Sequence, residues 1–357
     1  MFDTKVNGGM LSRASVTSLV EDTLAAYCDA ERQRACAIHS QYGQLWRVIS
    51  NQVLGGGKRL RPYLTILTYQ AYGGDISQPV IDVAAAWEML HISMLMHDDI
   101  IDRDYLRHGQ ANVAGHYLGV YAGLTNESQR LHYAHSAALM AGDLVLSSAH
   151  RLIDNSQLDD SYCRQIKALI YDATFEVIGG ELLDTEVVII DSTIDLQLIA
   201  ELKTASYSLI GPMLSGATLA GAEAAQLDVL RRLGRCLGVG FQLADDILGV
   251  FGDESQTGKS TDSDLAEGKH TVVIVEALKL MSDGDRQQAE MLLLHPSAEN
   301  AIPLKSLIAK TDVRNLLSAR LKGYSTTADE LIEQLNIDET YRAAFKSVAA
   351  KLLERNV

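Results

Sequence analysis

Two acidic stretches contain the residues whose types and spacing could do chemistry. The first carries Asp98, Asp99 and Asp102 directly after a strongly apolar segment. On a helix, Asp98 and Asp102 are four residues apart and share a face. Like charges this close destabilise a helix, and bare charge beside apolar residues is costly, so a compensating cation is expected. Mg²⁺ takes carboxylate oxygens and keeps positions open for phosphate. A solvated acidic helix end is the alternative interpretation.

The second stretch, FQLADDILG at 241–249, places Asp245 and Asp246 at the end of another apolar helical run. Two Asp pairs of this kind could face each other across the core of a helical bundle. Because both pairs have the same setting, a divalent-metal site is favoured over two solvated helix ends.

Basic residues next to glycines supply the opposite charge. The segment GGGKRLRP at 55–62 combines glycines, which let an oxyanion approach the backbone, with Lys and Arg, which form charge-assisted bonds to phosphate. It is not a Walker A motif, because G-x-x-x-x-G-K-[ST] is absent. Further candidate phosphate contacts are Lys203 with Thr204, Lys259 and Lys269. The segment alone is more often a solvated loop.

The elements that must position these residues are predicted to be helices. Ala328, Leu331, Ile332 and Leu335 recur at helical spacing, and the same period occurs at 345–353 and from 80 to 94. No convincing run of alternating strand residues occurs. The prolines are predicted at element edges: Pro62, Pro79, Pro212, Pro296 and Pro303. We therefore predict an all-α protein.

Three segments are predicted to be loops: 123–130, 252–270 and 294–303. The second is long, charged and rich in Gly and Ser, and such a loop inside a compact domain usually signals a lid or a binding loop. No composition shift or internal repeat marks a boundary. We predict a single domain over 1–357, in which residues 1–50 form packing or dimer helices.

The composition excludes several classes of protein. Apolar residues make up 47% of the 357 residues and only 5 are proline, which argues against collagen-like and disordered chains. A net charge of −15 without a long basic run argues against nucleic-acid binding. The four dispersed cysteines indicate neither a zinc site nor a disulfide framework. We expect a cytoplasmic protein without a signal peptide or membrane span.

Taken in order, these motifs resemble those of the trans-isoprenyl diphosphate synthases, also called polyprenyl synthetases, which include farnesyl and geranylgeranyl diphosphate synthases. GGGKRLRP resembles the family's isopentenyl diphosphate motif, and DDIID followed by Arg107-His108-Gly109 resembles its first aspartate-rich motif. Lys203-Thr204, FQLADD and the loop GKSTDSDLAEGKHT resemble the later motifs. The resemblance covers about Gly55 to Thr271. It implies the isoprenoid synthase fold, a helical bundle around a central active-site cavity, and usually a homodimer.

The resemblance also implies a Mg²⁺-dependent prenyltransferase that condenses isopentenyl diphosphate with an allylic diphosphate (dimethylallyl, geranyl or farnesyl). Mg²⁺ would be held by Asp98, Asp99, Asp102 and Asp245, with Asp246 in support. Isopentenyl diphosphate would be bound by Gly57, Lys58, Arg61 and His91. The allylic diphosphate would be bound by Arg107, Lys203, Lys259 and Lys269. The implied catalytic residues are Lys203, Thr204 and Gln242, the last two near the reacting carbons, where they help the proton leave.

Two positions depart from the family pattern. His108 stands where the family usually has a second arginine, which weakens one contact to isopentenyl diphosphate or makes it pH-dependent. Arg59 and Arg103 are the candidates to compensate. The second Asp motif ends in Gly249 instead of Asp, which removes one carboxylate but leaves the Asp pair.

The helix that carries Asp98 should also line the product cavity. Ser93 and Met94 precede Asp98 by five and four residues, where farnesyl diphosphate synthases commonly have bulky aromatics. Ser is small and Met is flexible, so the pocket should extend toward Leu90 and Trp87. We expect geranylgeranyl diphosphate as the main product, then a longer polyprenyl diphosphate. Trp87 is either a deeper stop or an ordinary core residue.

Two other functions fit part of the pattern. A class I terpene cyclase is suggested by the spacing of Asp245, Asp246, Gly249 and Asp253, but it needs no isopentenyl diphosphate motif. A non-catalytic partner subunit or helical interaction protein could lose its carboxylates, yet both Asp pairs are present. We therefore favour the synthase.

Overall fold

The computed structural model describes residues 9–107, 109–123, 126–189, 195–252, 263–266 and 268–354. The prediction of an all-α protein is confirmed, and the described residues form only two short strands. The first helices are α1 (Arg13–Ile38), α2 (Ser40–Val53), α3 (Leu60–Ala71), α4 (Gln78–Ile101), α5 (Val113–Val120), α6 (Glu127–Asn155) and α7 (Asp160–Ile189). A two-residue antiparallel pair, β1 (Leu106–Arg107) and β2 (Gln110–Ala111), separates α4 from α5.

After α7 the chain forms α8 (Leu196–Ala200), a π-helix at Glu201–Ile210 and α9 (Gly211–Leu219). The remaining helices are α10 (Ala224–Phe251), α11 (Ser263–Ala266), α12 (Val272–Leu280), α13 (Asp283–Leu293), α14 (Ala298–Ala309), α15 (Val313–Glu333) and α16 (Glu339–Leu353).

The chain divides into two compact units. The first unit contains residues 1–172 and 211–222, and the second contains residues 173–210 and 223–357. The single domain expected from the sequence stays a prediction, and each unit is described by itself.

Helix α4 is the core of the first unit. It packs against α1, α3, α6 and α9, so most of its surface is buried. Small residues of its neighbours make room for its large side chains. A Cβ added to Gly211 of α9 would lie 2.1 Å from the Trp87 ring, and one added to Gly142 of α6 would lie 2.2 Å from His97.

Among the described helices, α4 has the length and apolar composition of a membrane span, with a mean hydropathy of 1.3 over its most apolar window. However, 72% of that window is buried inside the fold. Because a core helix of this kind passes the same test, the match is weak evidence for a span.

A buried ion pair joins α4 to the loop before α3. The Arg59 side chain has no exposed surface, and its Nη1 donates to Glu88 Oε1 at 2.8 Å. Its Nη2 donates to the carbonyl oxygen of Val53 at 2.9 Å. Glu21 of α1 lies at the rim, 3.4 Å from Arg59 Nε. A buried charge is tolerated only with such partners, so Arg59 is committed to the core.

In the second unit, α10 packs against the π-helix, α15 and α16. Gly238 permits the close approach of α10 to the π-helix, because a Cβ there would lie 2.3 Å from the Ala205 Cβ. The predicted C-terminal stripes are buried as expected, including Ala328, Leu331 and Ile332 of α15 and Phe345 and Val348 of α16.

Some predicted boundaries were wrong. The segment 294–303 is not a loop throughout, because α14 begins at Ala298 and contains Pro303 in its interior. Within the predicted lid at 252–270, residues 263–266 form α11, while 253–262 and 267 lie outside the described residues. The short β1–β2 pair was not foreseen, because two-residue strands leave no alternating pattern.

Candidate active site

The first Asp cluster lies at the C-terminal end of α4. Asp98 is half-buried and Asp99 is buried, whereas Asp102 is exposed and forms the C-cap. Arg103 follows with a φ of 57°, a left-handed conformation that ends the helix. The cluster therefore lies where the negative end of the helix dipole adds to its own negative charge.

Arg107 on β1 returns to this cluster. Its Nη2 and Nε donate to Asp99 Oδ1 at 2.5 and 3.1 Å, and Nη2 lies 3.8 Å from Asp98 Oδ2. Burial raises the pKa of Asp99, and Arg107 opposes this by stabilising the carboxylate. The other oxygen, Asp99 Oδ2, is buried without a hydrogen-bond partner among the described residues. Asp99 and Arg107, which the family resemblance assigns to metal and diphosphate, therefore contact each other.

Asn112 shapes the turn that brings Arg107 back. Its side-chain amide donates to the Asp104 carbonyl at 2.7 Å, and its side-chain oxygen accepts from the Gly115 amide at 2.8 Å, which caps α5. Gly115 lies so close to this turn that a Cβ would be 2.0 Å from the Tyr105 carbonyl oxygen. The position of Arg107 thus depends on a close backbone approach after the Asp motif.

The donor chemistry of the first cluster fits Mg²⁺. Asp98 and Asp102 offer oxygen ligands one turn apart, and the buried Asp99 Oδ2 is an unsatisfied acceptor. Within the described ranges, no three His, Cys, Asp or Glu residues are grouped closely enough to hold an ion by themselves. Mg²⁺ usually keeps several waters and binds through one or two carboxylates plus substrate phosphates.

The cationic segment before α3 is a loop with left-handed backbone. Gly56, Gly57 and Arg59 have φ values of 88°, 129° and 44°, which explains the glycines at the first two positions. Lys58 is exposed, and its carbonyl oxygen accepts from both Nε and Nη2 of Arg13 on α1. Arg13 therefore holds the backbone of the segment, in which Lys58 is exposed.

His91 lies two turns before Asp98 on α4, among arginines. Burial, followed by the positive charges of Arg61, Arg107 and Arg59, holds the pKa of His91 well below its ordinary value. The imidazole is therefore neutral near pH 7 and can offer one N–H donor and one acceptor nitrogen. The positive charges of Arg61 and Arg107 thus both act on His91.

In the second unit, Lys203 lies on the π-helix between two acids of α7. Its Nζ is 2.8 Å from Glu181 Oε2 and 2.7 Å from Asp184 Oδ2. Glu181 and Asp184 are three residues apart on α7 and share a face. A ten-residue π-helix is rare, and such geometry frequently occurs at functional sites.

Thr204, Gln242 and Asp246 form a hydrogen-bonded chain. Thr204 Oγ1 donates to Gln242 Oε1 at 3.0 Å, and Gln242 Nε2 donates to Asp246 Oδ1 at 2.9 Å. The Val272 amide lies 3.4 Å from Asp246 Oδ2. Asp246 is 8% exposed, whereas Asp245 is half-buried. The two catalytic candidates Thr204 and Gln242 are therefore in contact.

Two of the predicted phosphate contacts, His108 and Lys259, lie outside the described residues. Lys269 is described and half-buried. Arg103 is exposed in the turn after α4.

The four candidate product-length residues differ in accessibility. Ser93 has no exposed surface and donates to the Gly142 carbonyl oxygen at 3.0 Å, so it faces α6. Leu90 and Trp87 also have no exposed surface, and Trp87 Nε1 donates to Ser215 Oγ at 2.9 Å. Trp87 therefore packs as a core residue. Met94 alone of the four keeps accessible surface.

Several contacts of the site were missed by the sequence reasoning. Arg13 supports the Lys58 backbone across 45 residues, and no local pattern indicates so distant a pairing. Glu181 and Asp184 could have been found from their helical i, i+3 spacing, but their partner Lys203 lies about twenty residues away.

Comparisons with known proteins show the family of this chain. The polyprenyl synthetase family model matches residues 44–310, which is 267 of the 357 residues. The chain belongs to this family, and it is a prenyltransferase with the isoprenoid synthase fold. It is similar to the short chain isoprenyl diphosphate synthase of Methanothermobacter thermautotrophicus, with 31% identity over 87% of this chain and 90% of that protein.

Two further similar proteins are named for products of different length. The (2E,6E)-farnesyl diphosphate synthase of Mycobacterium bovis is 29% identical over 84% of this chain and 80% of that protein. The geranylgeranyl pyrophosphate synthase of Corynebacterium glutamicum, solved with isoprenyl diphosphate and magnesium, has a TM-score of 0.89 and 28% identity. That match covers 97% of this chain and all of the other. Overall identity therefore does not separate the two product lengths.

Gly180 offers a test of the contact between α7 and the π-helix. A Cβ at Gly180 would lie 2.6 Å from the Lys203 backbone nitrogen and 2.9 Å from the Leu202 Cβ. We expect Gly180→Ala to move Lys203 away from Glu181 and Asp184, to lower the free energy of unfolding by about 1–3 kcal/mol, and to reduce turnover. Urea denaturation and steady-state kinetics measure the two effects.

The matched control is Gly179→Ala, because a Cβ at the adjacent glycine has no heavy atom within 4 Å. It should leave turnover unchanged and stabilise α7 slightly, since Ala is a better helix former than Gly. Equal losses in the two variants would show that helix geometry, and not the close approach, governs the effect.

Proposed function

We propose that the protein condenses isopentenyl diphosphate with an allylic diphosphate in a Mg²⁺-dependent head-to-tail reaction. The observation that carries this proposal is the contact between Arg107 and the Asp98–Asp102 cluster at the end of α4. The positive charges of the same arginine and of Arg61 also act on His91, which is neutral. Carboxylates for a metal and cations for diphosphate are thereby placed side by side. Lys203 and the Thr204–Gln242 pair supply the second group of candidates.

The chain's residues support such a reaction in distinct ways. On the family resemblance, we assign Asp98, Asp102 and Asp245 as oxygen ligands; Mg²⁺ held by them would supply positive charge that stabilises a departing diphosphate. Arg107, Lys203 and Lys269 bind the allylic diphosphate, and Gly57, Lys58, Arg61 and His91 bind isopentenyl diphosphate. Thr204 and Gln242 lie at the reacting carbons, where a proton is lost to the released diphosphate.

We propose geranylgeranyl diphosphate as the main product. The support is the absence of aromatic side chains at Ser93 and Met94 and the accessible surface that Met94 keeps. Because Leu90 and Trp87 have no exposed surface, a product chain meets the flexible Met94 side chain before it meets the packed core. Met94 is thus assigned as a yielding floor of the pocket.

The four cysteines are free thiols, which agrees with the proposed cytoplasmic location.

The proposed reaction is tested with labelled isopentenyl diphosphate and each allylic starter in turn. Asp98→Asn should lower turnover by at least about a hundredfold, since it removes a charged metal ligand. Asp283→Asn is the matched control, because its side chain is 91% exposed in a surface pair with Arg286. A hydrocarbon product from allylic diphosphate alone would favour a cyclase, and near-normal activity of Asp98→Asn would contradict the metal assignment.

Product length is tested by mass spectrometry of the reaction mixture. Wild type should release mainly geranylgeranyl diphosphate, and Met94→Phe should shift the product to farnesyl diphosphate because a rigid ring raises the floor. Met291→Phe, at a position 59% exposed on α13, controls for the substitution itself. Mostly farnesyl diphosphate from wild type would contradict the assignment of Met94 as a yielding floor.

We also propose that the protein is a homodimer. Phe175, Ile178 and Leu182 are 71%, 56% and 65% exposed at positions that share one face of α7. Such an apolar surface favours association with a second copy. Light scattering should give twice the mass of one chain for wild type and a lower mass for Phe175→Glu; a monomeric wild type would contradict the proposal.

A further inference from the structure

Asp246 has a contact for each of its two carboxylate oxygens. Oδ1 accepts from Gln242 Nε2 at 2.9 Å, one turn earlier on α10. Oδ2 lies 3.4 Å from the backbone nitrogen of Val272, the first residue of α12. The side chain is buried, with 8% of the residue exposed. Both contacts are donors of this chain, which sets Asp246 apart from a carboxylate that faces an open site.

The first contact fixes a direction along the chain of hydrogen bonds. An ionised carboxylate only accepts, so the NH₂ group of Gln242 must face Asp246. The Gln242 carbonyl oxygen must then face Thr204, 3.0 Å away. A carbonyl also only accepts, so the Thr204 hydroxyl has to donate its hydrogen to Gln242. The Thr204 oxygen is left with lone pairs for any other neighbour.

The second contact replaces a missing helix cap. Thr271 is the N-cap of α12 with extended backbone, yet its side chain makes no capping bond. Its hydroxyl is buried without a partner among the described residues. Asp246 instead accepts from the first amide of α12, where a carboxylate is favoured by the helix dipole. One buried carboxylate therefore holds both Gln242 and the start of the helix after the segment 252–270.

We propose that Asp246 is a positioning residue that orients the Gln242 amide and thereby turns the Thr204 oxygen, as an acceptor, toward the reacting carbons; it is not a magnesium ligand. This inference rests on the proposed function, in which Thr204 and Gln242 lie at those carbons. An acceptor oxygen there stabilises the positive charge on the carbons while the proton leaves to the released diphosphate, whereas a donated hydrogen would oppose this stabilisation.

The decisive variant is Asp246→Asn, which keeps the size of the side chain. Its amide can donate to Gln242, so the Gln242 amide can turn over and the Thr204 hydroxyl is no longer forced to donate to it. We expect kcat to fall between about tenfold and a hundredfold, the range for a misplaced group at the reacting carbons. The KM for each diphosphate and the half-saturating Mg²⁺ concentration should stay at the wild-type values.

Thr204→Val tests whether Asp246 acts through Thr204. If it does, adding Asp246→Asn to Thr204→Val should lower kcat little further, because the oxygen that Asp246 orients is already absent. A role in folding alone would give independent, additive losses, which overturns the inference. Thr204→Ser keeps the hydroxyl and should remain sensitive to Asp246→Asn.

Metal binding is measured without turnover, from the rise in melting temperature caused by Mg²⁺ with inorganic diphosphate. Asp246→Asn should keep this rise, whereas Asp245→Asn should reduce it. Loss of the rise in Asp246→Asn alone would make Asp246 a metal ligand and overturn the inference. Absence of the rise and of turnover in wild type would instead overturn the proposed function, and this assignment with it.

Discussion

Carboxylates near the C-terminal end of a buried helix set the main physical constraint on this protein. The helix dipole is negative at that end, and the apolar surroundings solvate charge poorly, so each acid needs a specific partner. Asp99 has Arg107, and Asp246 has the Gln242 amide and the Val272 backbone. These contacts hold the turn after α4 and the start of α12, so the same interactions determine the site and the local fold.

Glycines allow the close packing that brings these charged side chains together. Gly180 admits the π-helix to α7, which puts Lys203 beside Glu181 and Asp184. Gly211 admits the Trp87 ring, and Gly142 admits His97, the residue directly before the Asp motif. At these glycines the neighbouring atoms are closer than a Cβ would allow. The positions of the glycines therefore determine how α4 and α7 align with the elements packed against them.

How much of the structure the sequence predicts depends on how far apart along the chain the interacting residues lie. The helical spacing of Ala328, Leu331 and Ile332 and the Asp pairs on α4 and α10 are local patterns that were placed on helices correctly, whereas Leu335 lies beyond the end of α15 at Glu333. Arg59 with Glu88 and Arg13 with Lys58 join residues 29 and 45 positions apart, and nothing local specifies them. The local sequence does not predict the π-helix either, because this helix depends on packing against α7 and α10 more than on intrinsic helix preference.

The cations of the site illustrate how an acidic protein recognises an anion. Arg107 and Lys203, which we propose as diphosphate contacts, are each held by carboxylates of the same unit, which orients their long side chains. The ion pair of Lys203 differs from that of Arg59, whose partner Glu88 is itself buried and cannot be exchanged for water or ligand. Because Asp184 is 44% exposed, Lys203 can share its charge with an anion while Asp184 is rehydrated. Arg59 lacks that freedom, which is why two adjacent cations, Lys58 and Arg59, have opposite roles in one short loop.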